Sequence, residues 1–314
     1  MRARTGFRES MRRASGSLLL AAATFLSGAA ARAQDPHQFP DVTGRNPYVI
    51  QGDSAFARRQ EGRVGAVANP RPIAQAIAAY QTASEAPDNL EARWKLMRAL
   101  YFKGVYTGLD ADARKAVFNQ ARRVSDDAIA ILARRTGREG GPQLLQLSPP
   151  MRAEALAKET DAAPTFFWSA VCRGQWALSV GKLEAARAGA AERIRDDAAT
   201  VVALDPKFEE GGGYRVLGRL HSEAPEIPFL TGWVSRDEAV KNLRLALANG
   251  PRNFLNRHFL AEALARGTPE EKAEAIKLEQ SVVSDAPSPG SLVENLSVQE
   301  DARRDLEAWT KAAN

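Results

Sequence analysis

The chain has 314 residues, with 43 basic and 38 acidic side chains and a formal charge of +5. Residues 1–33 hold six of the arginines and one glutamate, so the remainder carries 37 basic and 37 acidic side chains. Such a balanced remainder lacks the cationic footprint of nucleic-acid binding, and the single cysteine, Cys172, excludes an internal disulfide.

Residues 1–33 read as an export signal. Arg2, Arg4, Arg8, Arg12 and Arg13 form a basic start, and Gly16 to Ala31 supply an apolar run. Ala31-Arg32-Ala33 is a small-x-small cleavage site, so cleavage is expected after Ala33 and the product is expected in the periplasm. The run is too short and alanine-rich for a convincing membrane anchor, and no long apolar segment follows. Residues 34–70, rich in Pro, Gly, Asn and Asp, are expected to be a flexible or loosely docked leader.

From residue 71 to 314 the pattern is helical. Ala and Leu dominate and the alternation of strands is missing, which predicts an all-α chain. Ala76, Tyr80, Ala83 and Pro87 follow a small–large–small–Pro rhythm, and Leu90 to Lys103 carries Trp94, Met97 and Tyr101 at helical spacing. Asp112 to Arg134 is a long amphipathic partner, and the turn after it breaks the array. A subdivision is therefore open near 137–163. Thr165 to Val180 is a strongly apolar helix in which Cys172 is expected to be buried, and its partner runs from about Leu183 to Leu204. Helices follow over Asn253 to Leu264, Glu270 to Ser284 and Val298 to Lys311, the last as a polar-faced cap.

The stretch Gly211 to Pro251 is the most informative. Tyr214, Leu217, Gly218 and His221 share one helical face, and Ala239, Leu243, Ala246 and Pro251 form a second one closed by proline. Large–large–small followed by small–large–small–Pro is the tetratricopeptide pattern. The expected fold is a degenerate tetratricopeptide-like helical-hairpin solenoid of four to five helix pairs with inserts, among them Ala224 to Gly232. Such an array predicts binding, not chemistry.

The residues that could carry chemistry are few. His37, His221 and His258 are the only histidines; no HExxH, GxSxG or zinc-spaced Cys/His cluster occurs. Asp126-Asp127 and Asp196-Asp197 are adjacent pairs that point to different sides of a helix. No enzyme, cofactor or metal site is expected; an enzymatic reading would need a hidden site at Arg219, His221 and Glu223.

One constellation suggests binding. With Tyr214 set in the core, Arg215 and Arg219 fall on the inner face of the array, and Arg173 and Arg257 occupy equivalent places on flanking helices. Together with Trp233 they would form a cationic groove for a carboxylate or acidic peptide. The alternative is ordinary ion pairing with the acids of neighbouring helices.

The segments FFWSAVCRGQWAL, VVALDPKFEEGGGYRVLGRLHSEAP and AVKNLRLALANGPRNFLNRHFLAEAL resemble the tetratricopeptide T component associated with TRAP transporters. The matching residues are Trp168, Asp205, Pro206, Gly212, Gly213, Arg215, Leu217, Gly218, Leu220 and Pro225, within about residues 160–290. The resemblance implies a non-enzymatic periplasmic scaffold that contacts a solute-binding protein of an organic-acid transporter. The alternative is a periplasmic module that captures a small carboxylate or hydrophobic ligand in the helical groove.

Overall fold

A computed structural model describes residues 45–137, 141–227 and 231–311. The expected signal segment and the start of the leader lie outside the described residues. The rest is all-α, with no strand among the described residues. In chain order the helices are α1 (Pro47–Ala57), α2 (Pro70–Ala83), α3 (Leu90–Tyr106), α4 (Ala111–Arg135), α5 (Gly141–Leu145), α6 (Pro149–Ala155) and α7 (Ala162–Val180). They continue with α8 (Lys182–Arg187), α9 (Ala190–Leu204), α10 (Gly212–Glu223), α11 (Arg236–Asn249), α12 (Phe254–Leu264), α13 (Pro269–Ser284) and α14 (Leu292–Lys311).

The starts of these helices follow from local chemistry. Asn46, Asn69, Asn89, Asp110, Ser235 and Asn253 each accept a first-turn backbone N–H with the side chain. Thr268 and Glu271 form a reciprocal capping box ahead of α13, with Pro269 at its first position. Each such cap contributes about 1 kcal/mol by satisfying a donor that the helix leaves orphaned.

Long helices pack against their chain neighbours: α1 on α2, α3 on α4, α7 on α9, α10 on α11 and α12 on α13. The first members of these pairs also touch in succession, α1 with α3, α3 with α7, α7 with α10, and α10 with α12, which meets α14. Close approach depends on small residues. A Cβ on Gly218 would overlap the Leu243 side chain, and one on Gly104 would lie 2.5 Å from Phe118.

Two expectations are corrected. The leader expected to be flexible or loosely docked contains, in its described part, the helix α1, held firmly because Val49 is buried and Tyr80 lies across Gly52, where no larger residue would fit. The turn after α1 also reaches the end of the chain. Arg59 donates to Glu294 Oε1 at 2.9 Å, and Gln60 Oε1 accepts from the Leu292 N–H at 2.8 Å. Second, the partner of α7 is broken into α8 and α9 at Gly189, which has a left-handed φ of 63°. The described residues of 137–163 belong to the same compact unit as the helices on either side.

Arg152 of α6 provides the anchor at that point. It is 1% exposed and donates to the carbonyls of Leu144, Leu145, Leu147 and Asp196 and to Thr200 Oγ1. Asp197 of α9 is fully buried 3.9 Å from that guanidinium. It also accepts from Arg193 Nε at 2.7 Å and from Ser169 Oγ at 2.6 Å, and Ser125 Oγ donates to Ser169 Oγ at 2.7 Å. Four helices (α4, α6, α7 and α9) thus meet on one buried polar network.

The inner side of the first helices is filled by aromatic rings in a continuous chain. Phe56 meets Phe102, then Tyr106, Tyr101, Trp168, Phe167 and Phe208 follow, with centroids 5.0 to 6.3 Å apart. Pairs of this kind each contribute about 0.5–1.5 kcal/mol beyond their buried area. Cys172 lies beside this cluster, fully buried, and burial pushes its thiol pKa up. The folded protein is therefore expected to resist a thiol reagent at pH 8, with one equivalent reacting after urea denaturation; native-rate labelling equal to that of a free thiol would contradict this.

Candidate functional site

The turn that enters α10 is unusual in its backbone. Glu209, Glu210 and Gly211 have φ values of 49°, 56° and 82°, three consecutive left-handed residues, of which only one is glycine. Each non-glycine residue held there costs about 1–2 kcal/mol, so the surroundings fix it. Arg215 Nη1 donates to the Glu209 carbonyl at 3.2 Å and to Asn256 Oδ1 at 2.9 Å. Asn256, fully buried on α12, donates through Nδ2 to the carbonyls of Glu210, Ala246 and Gly250. One arginine and one asparagine therefore join the turn to the end of α11 and the start of α12.

This arrangement corrects the registration of α10. Tyr214 is half-buried, whereas Arg215 is 7% exposed. The close contacts are made by glycines: a Cβ on Gly212 would lie 2.7 Å from Phe167, and one on Gly213 2.8 Å from Val202. That rotation turns Arg215 inward, under Phe167 at 6.0 Å from its ring centroid.

The other members of the proposed groove have separate partners. Arg173 is buried and donates to Asp126 at 2.5 Å. Arg257 is buried, donating to Asp285 at 2.8 Å and to Ser281 at 3.0 Å. Arg219 pairs with Glu262, lies 3.3 Å from Glu223, and stacks 4.3 Å from the Phe259 centroid. Trp233 packs edge-on to His221 at 5.3 Å and under Arg195 at 4.6 Å. Arg173, Arg219 and Arg257 each face a carboxylate and Arg215 a carboxamide.

The concavity next to these residues is a different one. His221 and Ser222 of α10, Arg236 and Ala239 of α11, Ala263 of α12 and Arg266 line a cavity of about 190 Å³. Arg236 donates to Glu271 at 2.6 Å, while its Nε and the Ser222 hydroxyl are buried with no hydrogen-bond partner. The Arg266 guanidinium donates to the Ser222 carbonyl at 3.0 Å. Two guanidinium groups, an imidazole and an unused hydroxyl around an opening of this size suit a small anion.

His221 is tuned toward neutrality. Burial lowers its pKa, Arg195 adds to this, and Glu238 opposes it; Nδ1 also accepts the Ser235 N–H at 3.2 Å, which requires a lone pair there. Its NMR titration midpoint is expected below the ordinary 6.5. Because the unfolded chain then takes up the proton first, stability is lost as pH falls below that value. A midpoint above it would contradict this description.

Sequence reasoning reached Arg215 but missed Asn256, Arg152 and Asp197, because a buried polar residue looks like a surface one until its partner is known. It also passed over His258, whose carboxylate neighbours Glu279 and Asp305 come from the two helices that follow. No family model matches this chain, and no curated protein aligns with it significantly.

Proposed function

We propose that this chain is an exported, non-enzymatic scaffold built of tetratricopeptide-like helix pairs. It would act in the periplasm by contacting a solute-binding protein of a TRAP-type organic-acid transporter. The pairs are α1–α2, α3–α4, α7–α9, α10–α11 and α12–α13, with α14 as the cap. The observation that carries this reading is the successive contact between first helices, α1 through α14, which is how stacked hairpins bury apolar faces that no single pair can bury alone. Ion-paired arginines support a scaffold over a cationic ligand groove. The transporter association rests on the motif from Asp205 to Pro225 and its likeness to the T component.

A tagged, exported copy recovered from its native envelope after mild crosslinking tests this. A periplasmic solute-binding protein should be enriched in the mass spectra. Recovery of outer-membrane or cell-wall assembly factors in its place would leave the helical array and remove the transport role.

A second reading has one observation in its favour, the cavity flanked by Arg236 and Arg266. A small carboxylate held there would make the chain a binding module. In that case Arg236→Gln with Arg266→Gln would abolish saturable carboxylate binding.

A further inference from the structure

His258, on α12, is 5% exposed, and its two ring nitrogens have different surroundings. Nδ1 lies 2.7 Å from Glu279 Oε1 on α13, a fully buried carboxylate whose Oε2 has no hydrogen-bond partner. Nε2 makes no hydrogen bond among the described residues. It points at Glu262, one turn along the same helix, whose Oε2 is 3.7 Å away. Asp305 of α14 completes the group, with one donor atom from each of His258, Glu262 and Asp305 within 4.8 Å of the other two.

The charge balance around this imidazole is unfavourable as it stands. Three carboxylates converge from α12, α13 and α14, and the guanidinium paired with any of them is that of Arg219, which binds Glu262. Glu279 and Asp305 have no lysine or arginine in ion-pair range among the described residues. Such a surplus of acid over base is offset by a protonated imidazole or by a metal ion.

We infer that His258, Glu262 and Asp305 form a binding site for a divalent transition-metal ion, with Zn²⁺ the best match. One imidazole and two carboxylates suit Zn²⁺, whereas Mg²⁺ and Ca²⁺ prefer oxygen alone. Glu279 is a positioning residue: by accepting the Nδ1 proton it fixes the tautomer that leaves the Nε2 lone pair facing the carboxylates. Closing donors that now lie within 4.8 Å around an ion at about 2.0–2.2 Å requires small inward rotations of Glu262 and Asp305. Arg219 would release Glu262, and Glu223 is already 3.3 Å away to receive it. The ion would staple α14 to α12, closing the C-terminal end of the array.

Calorimetric titration of Zn²⁺ into the tag-free protein, with Mg²⁺ for comparison, tests the site. One saturable Zn²⁺ site per chain is expected, with Mg²⁺ binding at least about tenfold weaker. His258→Gln should abolish it, and Glu279→Gln should weaken it by about 10–100-fold. Asp305→Asn, a near-isosteric change at a half-buried position, should weaken it by at least about tenfold, and His221→Ala should leave it unchanged. Saturable binding that survives Asp305→Asn undiminished, or no Zn²⁺ binding at all, would overturn the inference.

Discussion

Asp197→Ala is expected to cost about 3–5 kcal/mol, the usual penalty for breaking a buried ion pair. The carboxylate is fully buried, and with it removed the Arg152 guanidinium, 1% exposed, would lose its partner in ion-pair range. Ser169 would lose its acceptor and Arg193 its partner, so one substitution unsettles the junction of α4, α6, α7 and α9. Burial already lowers the Arg152 pKa and Asp197 opposes it, which is the electrostatic sign of a charge that depends on its neighbour. Asp197→Asn keeps an acceptor for Ser169 and should lose less. Urea denaturation followed by circular dichroism reads both; midpoints indistinguishable from wild type would show that the network contributes little.

Arg215→Ala should destabilise by about 2–3 kcal/mol, the loss expected when one buried and one partly buried acceptor lose their donor. These are the Glu209 carbonyl, in the turn that places two non-glycine residues at positive φ, and Asn256 Oδ1, on α12. Arg219→Ala, four residues on, breaks a partly exposed pair and should stay within about 1 kcal/mol. The contrast is what separates a structural arginine from a surface one on the same helix. Equal losses for the two variants would place them in equivalent environments, contrary to the geometry described above.

The parts of this fold legible in the sequence are those that local chemistry determines. The helix at Pro269–Ser284 is announced by its Thr-Pro-Glu-Glu start, and α4 and α7 by apolar spacing longer than any turn allows. The burial of Cys172 follows from its apolar neighbours in the same helix. The helix α1 was hidden in a segment rich in turn-forming residues, because its stability comes from packing under Tyr80 and not from its own composition. The orientation of α10 was hidden for a related reason. Periodicity marks the large residues, while the contacts that fix the helix are made by Gly212, Gly213 and Gly218. Arg215 and Arg152 find partners 41 and 48 residues away, a distance over which spacing rules say nothing. The His258–Glu262 spacing of one helical turn was visible; Asp305, from another helix, was not.

The central claim is that this array binds a protein and not a small anion. Its most direct test is titration of the purified chain, at physiological salt, with the solute-binding protein recovered beside it and with a series of small carboxylates. Saturable binding of the protein, insensitive to Arg236→Gln and Arg266→Gln, is expected, with no saturable carboxylate binding. Carboxylate binding lost in those two variants, with no affinity for the protein, would contradict it and make the cavity between α10, α11 and α12 the functional site.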